Sequence, residues 1–508
     1  MKISFPIRIY LVALVLRLIP VLLTRAMGIG LDDMFQYDML ARSLASGNGF
    51  RWYAQEDLKL LDPYVDFDLS TAKDYDPQHG LYTSFRAPLY PAFLAVIYFF
   101  NGLDFSRFFA ARLAHVIFLG APLAPLTYFV SRSLFPDSEK TAKISAWVTA
   151  AYPMLLIYPL GLGTENPFFV LLLLSFLFLL KSIEAPSPIN LLLSGFFLGL
   201  TALTRSVILP FAGLASLFLI VIARSGATNQ SPALQQGLLR RKEQAPSSQR
   251  HIFRNDGIII GIAFILVITP WVIRNSLLHH KLTGIETSMG YNLYLGYHPQ
   301  GNGSFIFGPS LDLLTIMDDA ERDEVGTQKA VKFIKDQPER FIPLAVNRLG
   351  FFFGLEKRVL MYFYSNNILG FMPKSILLAL SAVLLLPFVF ISTSAMFGLS
   401  LLKRNPQTTM LALLLISYIL PHVFILAEDR FHLALIPCLA ILAAYFWGNG
   451  IHSLSVRWRE SLYGKLAVTF AMLVFILLLA NWGFELTRDA DKIAALLAPD
   501  GNKTYFPY

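Results

Sequence analysis

Charge is scarce in this sequence. Of its 508 residues, 42 are Lys or Arg and 34 are Asp or Glu, 15% in all, where ordinary soluble domains carry about 25%. Apolar residues make up 55%. A chain of this length cannot hide such an excess inside a water-soluble globule, because large apolar patches would be left on its surface. Intrinsic disorder and coiled coil are excluded by the same figures. Cysteine is scarcer still: Cys438, inside the apolar run from Leu433 to Trp447, is the only one. No intrachain disulfide can form, which excludes the secreted disulfide scaffolds. The Walker phosphate loop, the dinucleotide fingerprint, paired CxxC and HExxH are also missing, so ATP and redox cofactors have no visible site and a divalent metal has no ligand motif. His79, His279, His280, His298, His422 and His432 lack metal-ligand spacing, and each reads as a polar interface residue.

What is present is a series of apolar blocks, each near the roughly 20 residues a helix needs to cross a bilayer. Eleven spans follow: Ile7–Ala26, Phe108–Val130, Ile144–Leu160, Pro167–Leu180, Leu191–Leu203, Val207–Ala223, Gly257–Val272, Ser375–Leu402, Met410–Ala427, His432–Trp447 and Leu466–Trp482. The first is too long for a signal core and reads as an uncleaved helix. Pro88–Gly102 is apolar but short and reads as a re-entrant or interfacial helix. The expectation is an all-α polytopic membrane protein with about 11–13 transmembrane helices and outer-face amphipathic helices. With the amino terminus in the cytoplasm, the basic loops at Arg132 to Lys143, Arg224 to Arg254, Lys403-Arg404 and Arg457 to Lys465 all fall inside. The net charge of +8 is thereby assigned to helix anchoring in a cell membrane and not to nucleic acid. The expected organisation is a first span (1–27), an acid-rich outer loop (28–107), further spans (108–223), a basic cytoplasmic linker (224–256) and another span (257–274). A second large outer loop (275–372), a last group of spans (373–484) and an outer tail (485–508) complete it.

Chemistry is expected on the outer side, where the ordered-looking polar sequence lies. Asp33, Tyr37, Ala41 and Leu44 share one helical face, which puts Asp33 in the first turn of an amphipathic helix, as a cap or as a base beside Asp32. Arg86 stands before Pro88 and Tyr90, at the edge of a helix start that favours an anion, or it snorkels to lipid headgroups. Glu165 follows Thr164 between two spans, at a depth that is costly without a partner or a watery cavity. Arg205, Arg274 and Arg430 sit at outer helix ends against the cytoplasmic bias, and together could bind a lipid phosphate.

In order and placement these segments resemble the GT-C superfamily of integral-membrane glycosyltransferases, in particular the bacterial branch that looks like protein mannosyltransferases and the lipid A aminoarabinose transferase. The segments are Asp32-Asp33 with Tyr37, Ala41 and Gly47-Asn48-Gly49-Phe50; Arg86 to Pro91; Thr164-Glu165; Leu203-Thr204-Arg205; Pro270 to Asn275; and Arg430 with Pro437. The resemblance implies a polyprenyl-phosphate sugar donor, an envelope lipid, glycan or protein as acceptor, and inversion at the transferred carbon. It also implies that Asp33, or next Asp32, is the catalytic acid, that Arg86 replaces a donor-binding Lys, and that Tyr37 and Tyr90 position substrates. Met34 and Phe85 depart from the pattern where many members place acids, so no metal is carried over. A lipid-linked glycan transporter, a ligase of whole lipid-linked glycans and a non-enzymatic scaffold are the alternatives; the charges cluster at helix ends and no internal repeat is visible, which counts against a transporter.

Overall fold

The computed structural model describes residues 3–67, 69, 72, 74–228, 256–357, 360 and 372–498. The expected linker is therefore almost wholly outside the described residues, as are 361–371 of the second polar loop and 499–508 of the tail. Helices α1 (Phe5–Leu23), α2 (Asp33–Ala45), α3 (Gln55–Leu61) and α4 (Leu89–Asn101) open the chain. Strands β1 (Arg51–Trp52) and β2 (Leu81–Tyr82) flank α3 and form an antiparallel pair, the one sheet among the described residues. Helix α5 (Ser106–Ala114) passes through a π-helical turn into α6 (Leu123–Leu134). Then come α7 (Glu139–Ala151), α8 (Pro153–Ile157), α9 (Glu165–Glu184), α10 (Pro188–Ala202), α11 (Leu209–Thr228) and α12 (Asp256–Leu278). The second polar section holds α13 (Met289–Tyr297), α14 (Phe307–Asp312), α15 (Asp319–Asp336) and α16 (Phe341–Phe352). Last are α17 (Lys374–Ser400), α18 (Pro406–Phe424), α19 (Ile436–Asn449), α20 (His452–Glu460), α21 (Leu462–Arg488) and α22 (Ala490–Leu497).

Among the described residues, eight helical stretches are long and apolar enough to cross a bilayer: α1, α5 through α6, α9, α12, α17, α18, Phe431–Asn449 and α21. The chain is a multi-pass, all-α membrane protein. Three of the eleven expected spans take other forms. Ile144–Leu160 is broken at Tyr152-Pro153, because proline has no N–H to donate and its ring clashes with the preceding turn. Leu191–Leu203 lies in the 15-residue α10, and Val207–Ala223 lies in a short 3₁₀ turn followed by α11. Pro88–Gly102 forms α4, 13 residues long and packed on α2 through Tyr90, Leu94 and Tyr98. At about 1.5 Å per residue it is near 20 Å, too short to span.

Packing explains several residues that hydropathy alone would reject. Arg17, inside α1, is fully buried and donates to the carbonyls of Thr149 (3.1 Å) and Ala150 (3.0 Å). Those carbonyls close α7, and the break at Pro153 leaves them without intrahelical donors, so a helix end supplies partners for both terminal nitrogens of a guanidinium at this depth. Gly195 and Gly199 let α10 meet α12: a Cβ at Gly195 would lie 2.4 Å from the Ile260 carbonyl, and one at Gly199 2.6 Å from Val267 Cβ. Small residues four apart allow this approach in an apolar medium, where packing contacts hold helices together. On α2, buried Asp38 accepts from Arg42 (2.8 Å), Arg107 (2.8 Å) and Tyr98 (2.9 Å), which fixes α2 to α4 and α5. Helices α9 and α19 are central and buried over most of their length.

Candidate active site

The local fold separates the roles of the two adjacent acids. The Asp32 side chain accepts from the Met34 N–H at 2.8 Å and caps α2. Asp33, the first residue of the helix, is thereby left to face outward, with its side chain 40% exposed. The segment before it, Met27-Gly28, is held by buried Arg112, which also donates to the Leu160 carbonyl at 2.8 Å. The start of α2 is thus set against the turn that precedes Glu165.

Arg86 reaches Asp33 from a strap, residues 83–86, that the second polar section clamps. Asp319 accepts from Thr83 Oγ1 (2.5 Å) and the Ser84 N–H (2.8 Å), and Thr287 N–H donates to the Ser84 carbonyl at 3.0 Å. Arg322 completes Asp319 at 2.9 Å. Arg86 Nη2 pairs with Asp33, while its Nε and Nη2 donate to Gln36 Oε1 at 2.8 and 2.6 Å. Just beyond the strap, the Leu89 N–H donates to the Leu203 carbonyl at 3.0 Å, which ties the start of α4 to the turn that carries Arg205.

Charges then alternate along one line. Arg430 Nη2 lies 3.5 Å from Asp33 Oδ2, and its Nη1 lies 3.7 Å from Glu165 Oε1. Glu165 Oε1 also meets Arg205 Nη1 at 2.9 Å, and Glu428 stands 2.8 Å from Arg430 Nε. The sequence Arg86, Asp33, Arg430, Glu165, Arg205 joins α2, the strap, the start of α9, the turn after α10 and the turn after α18. Burial by itself would lower all three arginines, but the facing carboxylates outweigh it and hold each above its ordinary range, so all stay cationic. Glu165 is only 8% exposed at its side chain, against 40% for Asp33. Of the two carboxylates, Asp33 is the one that an incoming group can reach.

Around this line, Tyr37 is buried, its ring beneath the Arg86 guanidinium at 5.3 Å. Burial, outweighing Arg86 and Thr164, pushes its phenol up to about 12, so it is a neutral wall. Thr164, at the start of α9, makes no side-chain cap hydrogen bond. Tyr90 is fully buried behind Tyr37, the rings edge to face at 5.2 Å, and its hydroxyl meets His115 Nε2 at 3.2 Å. It supports Tyr37 and does not reach the charged line.

Arg274 is placed apart from Arg205 and Arg430. It donates to the Thr83 carbonyl at 2.5 Å and lies over the Trp271 ring at 4.8 Å, so it holds the strap in place. Among the described residues, its hydrogen bonds go to Thr83, Asn275 and Phe50 and none joins it to Arg205 or Arg430. Three neighbours were not singled out from sequence. Gln36 shares Arg86, Glu428 pairs with Arg430, and Glu286 accepts from the Ser206 hydroxyl at 2.5 Å while its charge acts on Arg86. Among the described residues, no three His, Cys, Asp or Glu side chains group as a metal site requires.

No family model matches the chain, and no curated protein matches it by sequence. Among solved structures it is similar to the oligosaccharyltransferase of Archaeoglobus fulgidus in the apo form, at 15% identity and a TM-score of 0.47 over 100% of this chain. The chain spans 60% of the length of that enzyme. The same archaeal protein, AglB, in complex with an inhibitory peptide and a dolichol-phosphate, matches at 14% identity and a TM-score of 0.45, over 99% of this chain and 60% of that one. ArnT from Cupriavidus metallidurans bound to undecaprenyl phosphate matches at 13% identity and a TM-score of 0.37, over 89% of this chain and 79% of that one.

Proposed function

We propose that the chain is a GT-C-type membrane glycosyltransferase that moves a sugar from a polyprenyl-phosphate-linked donor to a hydroxyl or amine of an envelope lipid, glycan or protein. The observation that carries this proposal is the Arg86, Asp33, Arg430, Glu165, Arg205 line at one end of the bundle. Transfer breaks the bond between the anomeric carbon and the phosphate oxygen, and the phosphate leaves with the electron pair. Positive groups fixed where that charge appears lower the barrier, and Arg86, Arg430 and Arg205 are such groups. The acceptor oxygen or nitrogen forms the new bond from the opposite side, with inversion, and its proton passes to Asp33.

In the resting arrangement Asp33 is held by Arg86 and within reach of Arg430. A donor phosphate competes for the same two guanidinium groups. When it draws them, the Asp33 oxygens are released toward the acceptor, so donor binding precedes base action. Glu165 keeps Arg205 and Arg430 together before the donor arrives. The site is assigned to the outer face of the cell membrane, with the amino terminus in the cytoplasm, on the distribution of basic loops. The test is mass spectrometry of envelope glycans with and without this gene, followed by transfer from a polyprenyl-phosphate sugar by the purified protein in liposomes. Unchanged glycans together with no transfer from any such donor would overturn the proposal.

A further inference from the structure

A second polar cluster lies directly behind the Arg430 turn and takes no part in the charged line. Tyr152, Glu356 and His432 are all buried, the last two completely. Tyr152 marks the break between α7 and α8, Glu356 follows α16, and His432 is the second residue of the 3₁₀ turn Phe431–Leu435, two residues past Arg430. Tyr152 donates to Glu356 Oε1 at 2.5 Å, and the same oxygen lies 3.0 Å from His432 Nε2. His432 Nδ1 is 2.6 Å from the Phe352 carbonyl.

Counting hydrogens fixes the arrangement. A carbonyl oxygen can only accept, so His432 Nδ1 carries a hydrogen and donates it to Phe352. Nε2 and Glu356 Oε1 would otherwise meet lone pair to lone pair, so one proton lies between them. That proton belongs either to an imidazolium beside a carboxylate or to a carboxylic acid beside a neutral imidazole. Glu356 Oε2 is buried and has no hydrogen-bond partner among the described residues. In a carboxylate that oxygen would hold half a charge with nothing to receive it, whereas in the acid it is a neutral carbonyl oxygen. The Phe388 ring, stacked 4.1 Å from His432, adds apolar surroundings.

We propose that Glu356 is a buried neutral acid that donates its proton to His432 Nε2, and that the chain Tyr152, Glu356, His432, Phe352 carbonyl is a pin that positions the Arg430 turn. Burial, only partly offset by His432 and Tyr152 and reinforced by the nearby Asp429 charge, holds the Glu356 carboxyl above the usual range. The other charges around it are paired: Lys357 with Glu485 at 2.6 Å and with Asp489, and Glu485 Oε2 with the Leu355 N–H at 2.9 Å. Raising the pH through the Glu356 transition removes the bridging proton and loosens the turn. The pin stands on its own geometry and does not depend on the sugar-transfer proposal.

The test uses the full chain in nanodiscs without any donor. Infrared difference spectra of wild type against Glu356→Gln are expected to show a protonated carboxyl band missing from the variant; a missing carboxylate band instead would overturn the assignment. Amide exchange of residues 428–432, corrected for intrinsic rate, reads the pin. Glu356→Gln keeps it, since an amide nitrogen at the Oε1 position has hydrogens for both His432 and Tyr152, and its exchange stays within about twofold of wild type. Glu356→Ala speeds exchange by about tenfold or more, the 1.4 kcal/mol of one buried hydrogen bond. As the pH rises through the Glu356 transition the wild-type turn loses protection and the Gln variant does not. Wild-type exchange in the Ala variant, or Gln behaving as Ala, would overturn the pin. Should Glu356→Ala fail to fold, the spectra and the Gln pH profile still decide it.

Discussion

Glu165 holds Arg205 at 2.9 Å and Arg430 at 3.7 Å, nearly out of contact with solvent. Replacing it with Gln keeps the shape but leaves Arg205 with no carboxylate partner and only the rings of Phe168 and Phe431, 5.9 and 5.2 Å away. At an effective dielectric of about 20, opposite charges about 4 Å apart attract by about 4 kcal/mol. Removing one partner of a buried pair costs about 3–5 kcal/mol, and the two rings return about 1 kcal/mol. Glu165→Gln should therefore lose about 3 kcal/mol, more than a hundredfold in the folding equilibrium. The double variant Glu165→Leu, Arg205→Met removes the buried charges together and should regain wild-type stability to within about 1 kcal/mol, yet remain inactive. Equilibrium unfolding in mixed micelles of wild type, the single variants Glu165→Leu and Arg205→Met and the double variant gives the coupling. If Glu165→Gln loses less than about 1 kcal/mol, or the double variant is no more stable than the worse single one, Glu165 does not neutralise Arg205 and the alternating line is not an energetic unit.

Two further outcomes follow from the same geometry. Arg86→Lys cannot hold Gln36 and Asp33 with one fork, and polyprenyl-phosphate affinity measured in nanodiscs should fall about tenfold; equal affinity would reduce Arg86 to a point charge. Tyr37, pushed up to about 12, stays neutral throughout the working range, so an alkaline limb of activity below about pH 10 should survive Tyr37→Phe. Because its folded value lies above the ordinary one, its contribution to stability is complete below about pH 10 and is lost as pH rises through about 12, a loss that alkaline unfolding of the Phe variant should lack.

The membrane class and most helices were legible because apolar length is a local property, read one block at a time. What hydropathy could not foresee was where a long block breaks: Pro153 divides one, and its free carbonyls then account for Arg17. The two adjacent acids were legible as a pair but not as roles. Only the helix start shows that Asp32 caps and Asp33 faces Arg86. Arg205, Arg274 and Arg430 looked equivalent because each ends a helix, and only the folded contacts show Arg274 bonded to the strap while the other two meet Glu165. Glu286 and Glu356 carry no local signal. Their partners lie 80 and 76 residues away, at Ser206 and His432, and sequence patterns do not register contacts over that span.

The most direct measurement is single-turnover transfer by Asp33→Asn from a bound polyprenyl-phosphate sugar, with Asp32→Asn alongside. Asp33→Asn should bind donor as wild type does, or more tightly because two arginines lose their competing anion, and should slow transfer by at least about a hundredfold. Asp32→Asn should keep turnover and lose only part of a helix cap, about 1 kcal/mol at most. Transfer undiminished in Asp33→Asn would contradict the central claim that this carboxylate, held between Arg86 and Arg430, is the base.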